Sequence, residues 1–139
     1  GMENILVRNC NFVNTDVGIR VKSRRGSGGL VHQVYIRNIY MAHIAREAIL
    51  FDSYYELKTK SKAAFPVNAA TPRFQDFYMD SIYCDGAGAA ISLTGLPEMP
   101  VSRLFFSNMN ITAAKGCTAA DTAEISFKHV ILNDHALHR

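Results

Sequence analysis

Two basic residues separated by a single position, Arg20 and Lys22, are the first candidates for a binding function. In a β-strand, side chains two positions apart point to the same face at a spacing of about 7 Å. An arginine fork beside a lysine ammonium is a good receptor for a carboxylate or a phosphate group. The same segment adds Arg24 and Arg25 and continues into a glycine-rich turn at residues 26–29. A solvated basic face without a ligand is the alternative, and the residues alone leave both open.

A pair of tyrosines, Tyr54 and Tyr55, follows a later strand-like run. We expect this pair to end its strand at the point where Lys22 and Ser23 end the equivalent strand one unit earlier. A phenol beside two cations suits a hydroxylated, acidic ligand such as a uronic-acid sugar, and a half-buried aromatic at a strand edge is the alternative. No aromatic residues are interleaved with the basic cluster, so we expect no nucleic-acid partner.

The elements that would carry these residues repeat along the chain. Five segments of eight residues begin at residues 5, 34, 77, 104 and 125 and share one pattern. The first four positions are apolar, any, apolar and polar. The fifth is a polar residue that is usually Asn, and the last three are apolar, any and apolar. A second strand-like run follows the first three copies and contains Ile19, Ile49 and Ile91. Units this short cannot bury an apolar face alone, so their recurrence predicts a solenoid of stacked coils.

We therefore predict an all-β protein, a right-handed parallel β-helix of about five stacked coils that forms a single domain over residues 1–139. Two apolar columns should stack inward: Ile5, Val34, Phe77, Leu104 and Ile125, and Val7, Ile36, Met79, Phe106 and Phe127. A polar column should occupy a bend, for which asparagine is well suited: Asn9, Asn38, Ser81, Asn108 and His129.

Other features of the chain fit this prediction less directly. Leucine-rich repeats have a similar period, but the chain lacks their leucine consensus. A helix over His43–Leu50 would break the offset between the two strand-like runs. The segment 56–73 contains Lys, Ala and two Pro residues, which predicts a loop that projects from the stack. Cys10 and Cys84 fall in apolar columns, so we expect buried, inert thiols.

The stretch GIRVKSRRGSGGLVHQVYIRNIYM, Gly18 to Met41, followed by AILFDSYYE, Ala48 to Glu56, resembles the polygalacturonases, family 28 of the glycoside hydrolases. The resemblance implies a right-handed parallel β-helix and inverting hydrolysis of the α-1,4 bonds of pectic polygalacturonate. It also implies that Arg20, Lys22 and Tyr55 bind substrate. The two cations would take the carboxylate of a galacturonate unit on the leaving-group side.

The catalytic motifs of that family are an Asn-Thr-Asp, an Asp-Asp pair and a Gly-His-Gly, and all precede its Arg-x-Lys motif. The resemblance therefore places them upstream of this chain. Asn14-Thr15-Asp16 spells the first motif, but it stands too close to Arg20, and we interpret Asp16 as a turn residue. The sequence has no Asp-Asp pair, although an inverting glycosidase needs an acid and a base about 6.5–9.5 Å apart.

We predict no catalytic residue, no cofactor and no metal in this chain. His135 and His138 lie near one terminus without a third ligand, which does not make a zinc site. The net charge of +3 is too small to indicate nucleic acid. No apolar run reaches the roughly 20 residues of a membrane span, so we expect no membrane partner.

Our first hypothesis is that the chain is the C-terminal part of a polygalacturonase-like hydrolase. We expect this part to bind a galacturonan-type acidic polysaccharide but to be inactive alone. A non-catalytic β-helix module that binds acidic polysaccharide or mediates assembly is the alternative. We expect the truncated first coil, around Ile5, Val7 and Phe12, to be covered by a second copy in a homo-oligomer. We expect the parent protein to be secreted or periplasmic, and its action to be either endo or exo.

Overall fold

A computed structural model describes residues 2–54 and 64–137 of the chain. Within these residues all regular structure is β-strand, and no helix is long and apolar enough to cross a membrane. The strands are β1 Met2–Val13, β2 Ile19–Lys22, β3 Leu30–Asp52, β4 Arg73–Thr94, β5 Val101–Ala120, β6 Thr122–Leu132 and β7 His135–Leu137.

Five long strands stack in parallel in the order β1-β3-β4-β5-β6, and the short β2 pairs in parallel with β3. Each long strand bends around the core and is followed by the next one directly above it. This arrangement confirms the predicted parallel β-helix. A helix at residues 43–50 is excluded, because that segment belongs to β3.

The register of the stack reproduces both predicted apolar columns. Ile5 pairs with Val34, Val34 with Phe77, Phe77 with Leu104, and Leu104 with Ile125. The second column follows the same steps from Val7 to Phe127. Apolar side chains from neighbouring coils therefore meet inside the solenoid, and this burial is the main stabilising contribution to such a fold.

The predicted polar column forms a sharp corner of the coil. All five of its residues have left-handed backbone conformations, with φ values of 57°, 56°, 58°, 50° and 56° along the stack from Asn9 to His129. A second left-handed column, which the sequence did not reveal, precedes each first apolar position: Asn4, Gln33, Asp76, Arg103 and Glu124. At these two corners each coil therefore turns at a single residue rather than through a loop.

The second strand-like run also stacks in register, from Ile19 to Ile49 and from Ile49 to Ile91. Cys117 extends this column by one coil, a member that the sequence pattern did not identify. The second run of one coil packs against the first run of the next coil across the interior. Phe51 lies edge-on to Phe77, with ring centroids 4.8 Å apart.

The two ends of the stack differ. At the C-terminal end, β7 folds back antiparallel on β6 and covers part of the last coil. At the other end, a cavity of about 360 Å³ opens between β1 and β2, lined by apolar side chains that include Ile5, Val7 and Phe12.

The remaining predictions on the fold have mixed outcomes. Residues 64–72 form no strand, and most of the rest of the predicted 56–73 loop lies outside the described residues. The extent of the loop therefore stays a prediction. The single domain over residues 1–139 also stays a prediction.

Cys84 is buried, as expected, and burial raises the pKa of its thiol to about 11. The expected burial of Cys10 is wrong, because β1 is the edge strand of the described sheet and leaves this thiol half-exposed.

Candidate functional site

The predicted binding pair lies on β2, on the outside of the first coil. Ile19 and Val21 pack toward the core, and Arg20 and Lys22 are exposed on the opposite side of the strand. Parallel pairing of all four β2 residues with β3 fixes this orientation. Alternation along the strand therefore brings both cations to one outer face.

Tyr54 is placed differently from the expectation. β3 ends at Asp52, which pairs directly with Lys22, and Tyr54 follows two residues later. Tyr54 is 1% exposed, so it does not lie on the outer face with the cations. Its backbone N–H donates a 2.8 Å hydrogen bond to Asp52 Oδ1, which turns the chain inward after the strand. Tyr55 lies outside the described residues, and its substrate-binding role stays a prediction.

Arg25 belongs to the same basic segment but is held in a buried ion pair. Its Nε donates to Glu98 Oε2 at 2.7 Å, and its Nη2 donates to Glu98 Oε1 at 2.9 Å. The Glu98 side chain is 4% exposed and the Arg25 side chain is 15% exposed. The alternative of a solvated basic face therefore does not extend to Arg25. The 73 residues between the partners explain why sequence spacing gave no sign of the pair.

Two aromatic rings enclose the same guanidinium. Its central carbon lies 3.8 Å from the centroid of the Phe65 ring and 5.5 Å from that of Tyr54. Such cation–π contacts add to an ion pair when the groups are partly desolvated. The backbone N–H of Gly26 also donates to the Ala70 carbonyl at 3.0 Å. The glycine-rich turn after β2 is thereby anchored to the segment 64–72.

Gly28 is required by this anchoring. Its φ is +63°, and a Cβ atom at this position would lie 2.6 Å from the carbonyl oxygen of Ala69. A larger residue would push the turn away from the neighbouring backbone. The glycine-rich sequence therefore serves close packing between two backbone segments.

The electrostatics of the pair follow from its hydrogen bonds. The hydrogen bonds from Arg25, aided by its charge, lower the pKa of Glu98 from 4.5 to about 2 despite burial. The same contact raises the pKa of Arg25, and burial raises the pKa of Tyr54. Both members of the pair are therefore ionised at neutral pH.

Comparison with known protein families gives a match over nearly the whole sequence of the chain. Residues 1–131 match the family described as glycosyl hydrolases family 28. The chain belongs to this family. The match confirms the resemblance seen in the stretch from Gly18 to Met41, and it covers the strands β1 to β5 in full.

Several known proteins are similar to the chain. The exo-poly-alpha-D-galacturonosidase of Dickeya chrysanthemi is 25% identical over 139 residues, which cover 96% of this chain and 23% of that protein. Exopolygalacturonase B of Aspergillus niger is 27% identical over 129 residues, which cover 89% of the chain and 28% of that protein. A probable exopolygalacturonase B of Aspergillus fumigatus is 27% identical over 120 residues, which cover 83% of the chain and 26% of that protein. The chain thus spans about a quarter of the length of these relatives.

One carboxylate of the stack, that of Asp80, is held by three hydrogen bonds. Asp80 accepts hydrogen bonds from the Ser107 hydroxyl at 2.7 Å, the Asn108 amide at 2.8 Å and the Ser81 hydroxyl at 3.0 Å. The Ser107 bond, with the other two, lowers the pKa of Asp80. This carboxylate joins neighbouring coils along the outside of the stack, which is a structural role.

The Asn-Thr-Asp sequence near β2 is part of a connection. Asp16 is exposed, and its backbone carbonyl accepts a 2.7 Å hydrogen bond from the N–H of Arg46 in the next coil. This geometry agrees with the interpretation of Asp16 as a turn residue. Across residues 2–54 and 64–137, no cluster of three or more His, Cys, Asp or Glu side chains is arranged to hold a metal ion.

Proposed function

We propose that the chain is the C-terminal part of a polygalacturonase-like glycoside hydrolase and supplies one side of its substrate groove. Arg20 and Lys22 would bind the carboxylate of a galacturonate unit, with Tyr55 as a further contact. The observation that carries this proposal is the exposure of both cations side by side on β2, inside the region that matches family 28. An arginine fork and an ammonium on one face are suited to a carboxylate ligand.

The names of the relatives support the choice of substrate and the mode of action. All three are named as exo-acting enzymes on polygalacturonate or its α-D-galacturonosyl units. We therefore favour a galacturonan-type substrate and exo action for the whole protein. A polymer of that kind is too large to enter a cell intact, so we propose that the parent is secreted or periplasmic.

Binding is tested with the purified chain and a galacturonate trisaccharide in a calorimetric titration. One variant replaces both cations, Arg20→Gln with Lys22→Gln. Its control, Arg8→Gln with Lys128→Gln, removes two exposed cations elsewhere on the stack and has the same net charge. We expect about tenfold weaker binding only in the first variant, because hydrogen bonds to a charged ligand are lost. Equal weakening in both variants would mean that the sugar is attracted by net charge and not bound at Arg20 and Lys22.

Catalysis is a separate part of the proposal. We propose that the acid and base lie in parts of the parent protein other than these 139 residues, and that the chain alone has no hydrolytic activity. The absence of an Asp-Asp pair from the sequence supports this. A reducing-sugar assay on polygalacturonate tests it, and robust turnover by the purified chain would overturn it.

We also propose that a second copy of the chain covers the open end of the solenoid. The apolar cavity of about 360 Å³ between β1 and β2 and the unpaired outer edge of β1 support this, because such edges pair readily with another strand. Sedimentation over a range of concentrations should give a dimer or larger species. Val7→Lys should disrupt it, whereas Leu6→Lys on the outer face of β1 should not. A wild-type monomer at every concentration would contradict the proposal.

The same open end favours a second candidate function, a non-catalytic β-helix module that binds acidic polysaccharide or mediates assembly. The two candidates differ in what precedes the chain in its gene. An upstream reading frame that encodes an Asp-Asp pair and a Gly-His-Gly motif supports the hydrolase, and a frame without them supports the module.

A further inference from the structure

A shallow groove of about 370 Å³ lies on the outer surface of the stack, at the corner formed by the polar column. Tyr83 lines it from β4, Asn108 and Asn110 from β5, and His129 from β6. The groove is on a different face of the solenoid from β2. Residues 81–83 and 108–110 form the groove, whereas β2 is in register with residues 49–52 of β3 and 91–94 of β4.

The ring of Tyr83 has one covered face and one open face. Tyr40, in the coil on one side, stacks on it with ring centroids 5.6 Å apart and planes within 7° of parallel. The position in register on the other side is Asn110, whose side chain is too short to cover a ring. Tyr83 is consequently 48% exposed, the highest value among the exposed aromatic residues of the described ranges. An aromatic plane faces the groove.

In the other ladder of rings on this stack, the central ring has no open face. Tyr78 is stacked on both sides, by Tyr35 and by Phe105, each with ring centroids 5.0 Å apart and planes within 10° of parallel. Both ring faces are used within the protein, and only edges meet solvent. The open face of Tyr83 thus results from the change from tyrosine to asparagine in one column.

The polar side chains that line the groove around the Tyr83 ring are amides, a hydroxyl and an imidazole. Asn108 donates one amide hydrogen to Asp80 at 2.8 Å, which fixes the amide while its carbonyl oxygen stays available as an acceptor. Asn110 and His129 are exposed and add a second amide and an imidazole. Among the described lining residues of the groove none is Lys, Arg, Asp or Glu. The nearby Asp80 carboxylate is occupied by three hydrogen bonds.

From this geometry we propose that the groove is a binding site for an uncharged pyranose sugar. The apolar face of the sugar ring lies on the open face of Tyr83, and its hydroxyl groups exchange hydrogen bonds with the amides of Asn108 and Asn110 and with His129. An aromatic platform with a few convergent polar groups is typical of sites for small hydroxylated ligands. The lack of cations in the lining separates this site from the proposed carboxylate site at Arg20 and Lys22.

The test uses NMR titration of the full chain with three neutral tetrasaccharides, of galactose, glucose and xylose, and with tetragalacturonate as the charged arm. We expect at least one neutral sugar to bind in the millimolar range and to shift the resonances of Tyr83, Asn110 and His129. Tyr83→Ala should weaken this binding about 5-fold to 10-fold, the magnitude of one aromatic contact. Tyr83→Phe should retain it, because the ring face and not the hydroxyl makes the contact.

Tyr35→Ala is the matched control, since it removes an exposed tyrosine whose ring stacks on Tyr78 on one side and has Leu6 in register on the other. It should bind the neutral sugar as the wild type does. If none of the neutral sugars shifts these resonances, or if Tyr83→Ala binds as tightly as the wild type, the site does not exist. If tetragalacturonate binds the groove more tightly than every neutral sugar, the assignment to an uncharged ligand is wrong. These outcomes do not depend on binding at Arg20 and Lys22.

Discussion

Glu98→Gln is the substitution that most sharply tests how the basic turn is held in place. It keeps the shape of the side chain and removes the charge that faces the Arg25 guanidinium. The Glu98 side chain is 4% exposed, so water cannot replace the lost carboxylate. Arg25 would then remain charged, partly buried and without its counter-ion, which is the costly outcome of breaking an internal ion pair.

Two estimates of the stability lost in this variant agree. A pKa lowered from 4.5 to about 2 corresponds to about 3 kcal/mol of preferential stabilisation of the ionised carboxylate. Removal of one member of a buried pair costs about 3–5 kcal/mol. We therefore expect Glu98→Gln to lower the free energy of unfolding by about 3 kcal/mol at pH 7, and the melting temperature by about 10 °C for a chain of this size.

The assay is urea unfolding followed by circular dichroism and tyrosine fluorescence, because the chain has no tryptophan. Since folding lowers the pKa of Glu98, its contribution is fully present above pH 4.5 and is lost as the pH falls toward 2. The difference between wild type and variant should therefore shrink over this range. Glu124→Gln, at an exposed carboxylate, is the control. A Glu98→Gln variant within 0.5 kcal/mol of the wild type at pH 7 would refute the reasoning, since about 3 kcal/mol is expected.

Three further outcomes follow from the stack. Glu124→Asn, at a left-handed corner residue with φ of 55°, should raise the unfolding free energy by about 0.5–1 kcal/mol, whereas Glu124→Ala should give no gain. Met79→Ala, at a fully buried position, should lower it by about 2–5 kcal/mol in the same urea assay, and a smaller loss would mean that the core is loosely packed. Cys84, whose pKa burial raises to about 11, should react with a thiol reagent far more slowly than the half-exposed Cys10, and equal rates would contradict the stack.

The coil register was predictable because a solenoid repeats its side-chain environment at every step. An apolar residue at Ile5 or Phe77 meets the same inward position one coil away, so the pattern appears in the sequence as a recurrence. The asparagine corner was predictable for a related reason, since asparagine tolerates the left-handed conformation better than most residues. The corner at Gln33 and Arg103 escaped notice because these residue types have no such preference.

The surroundings of the candidate site were less predictable, because they depend on contacts between segments that do not repeat. Arg25 looked like one more solvated cation beside Arg20, yet Glu98, from the turn between β4 and β5, neutralises it. Tyr54 looked like a ligand contact, yet the chain turns inward after Asp52 and buries it. Turns outside the repeating strands bring these residues together, and a strand pattern carries no information about them.

An NMR titration of the isotopically labelled chain with trigalacturonate and with its methyl ester tests the carboxylate site on β2. We expect the acid form to shift the amide resonances of Arg20 to Lys22 more than any others, because its carboxylate binds on the outer face of β2. We expect the methyl ester, which has no charge, to leave these resonances nearly unchanged at the same concentration. Equal shifts with both ligands, or the largest shifts on another face of the stack, would contradict it.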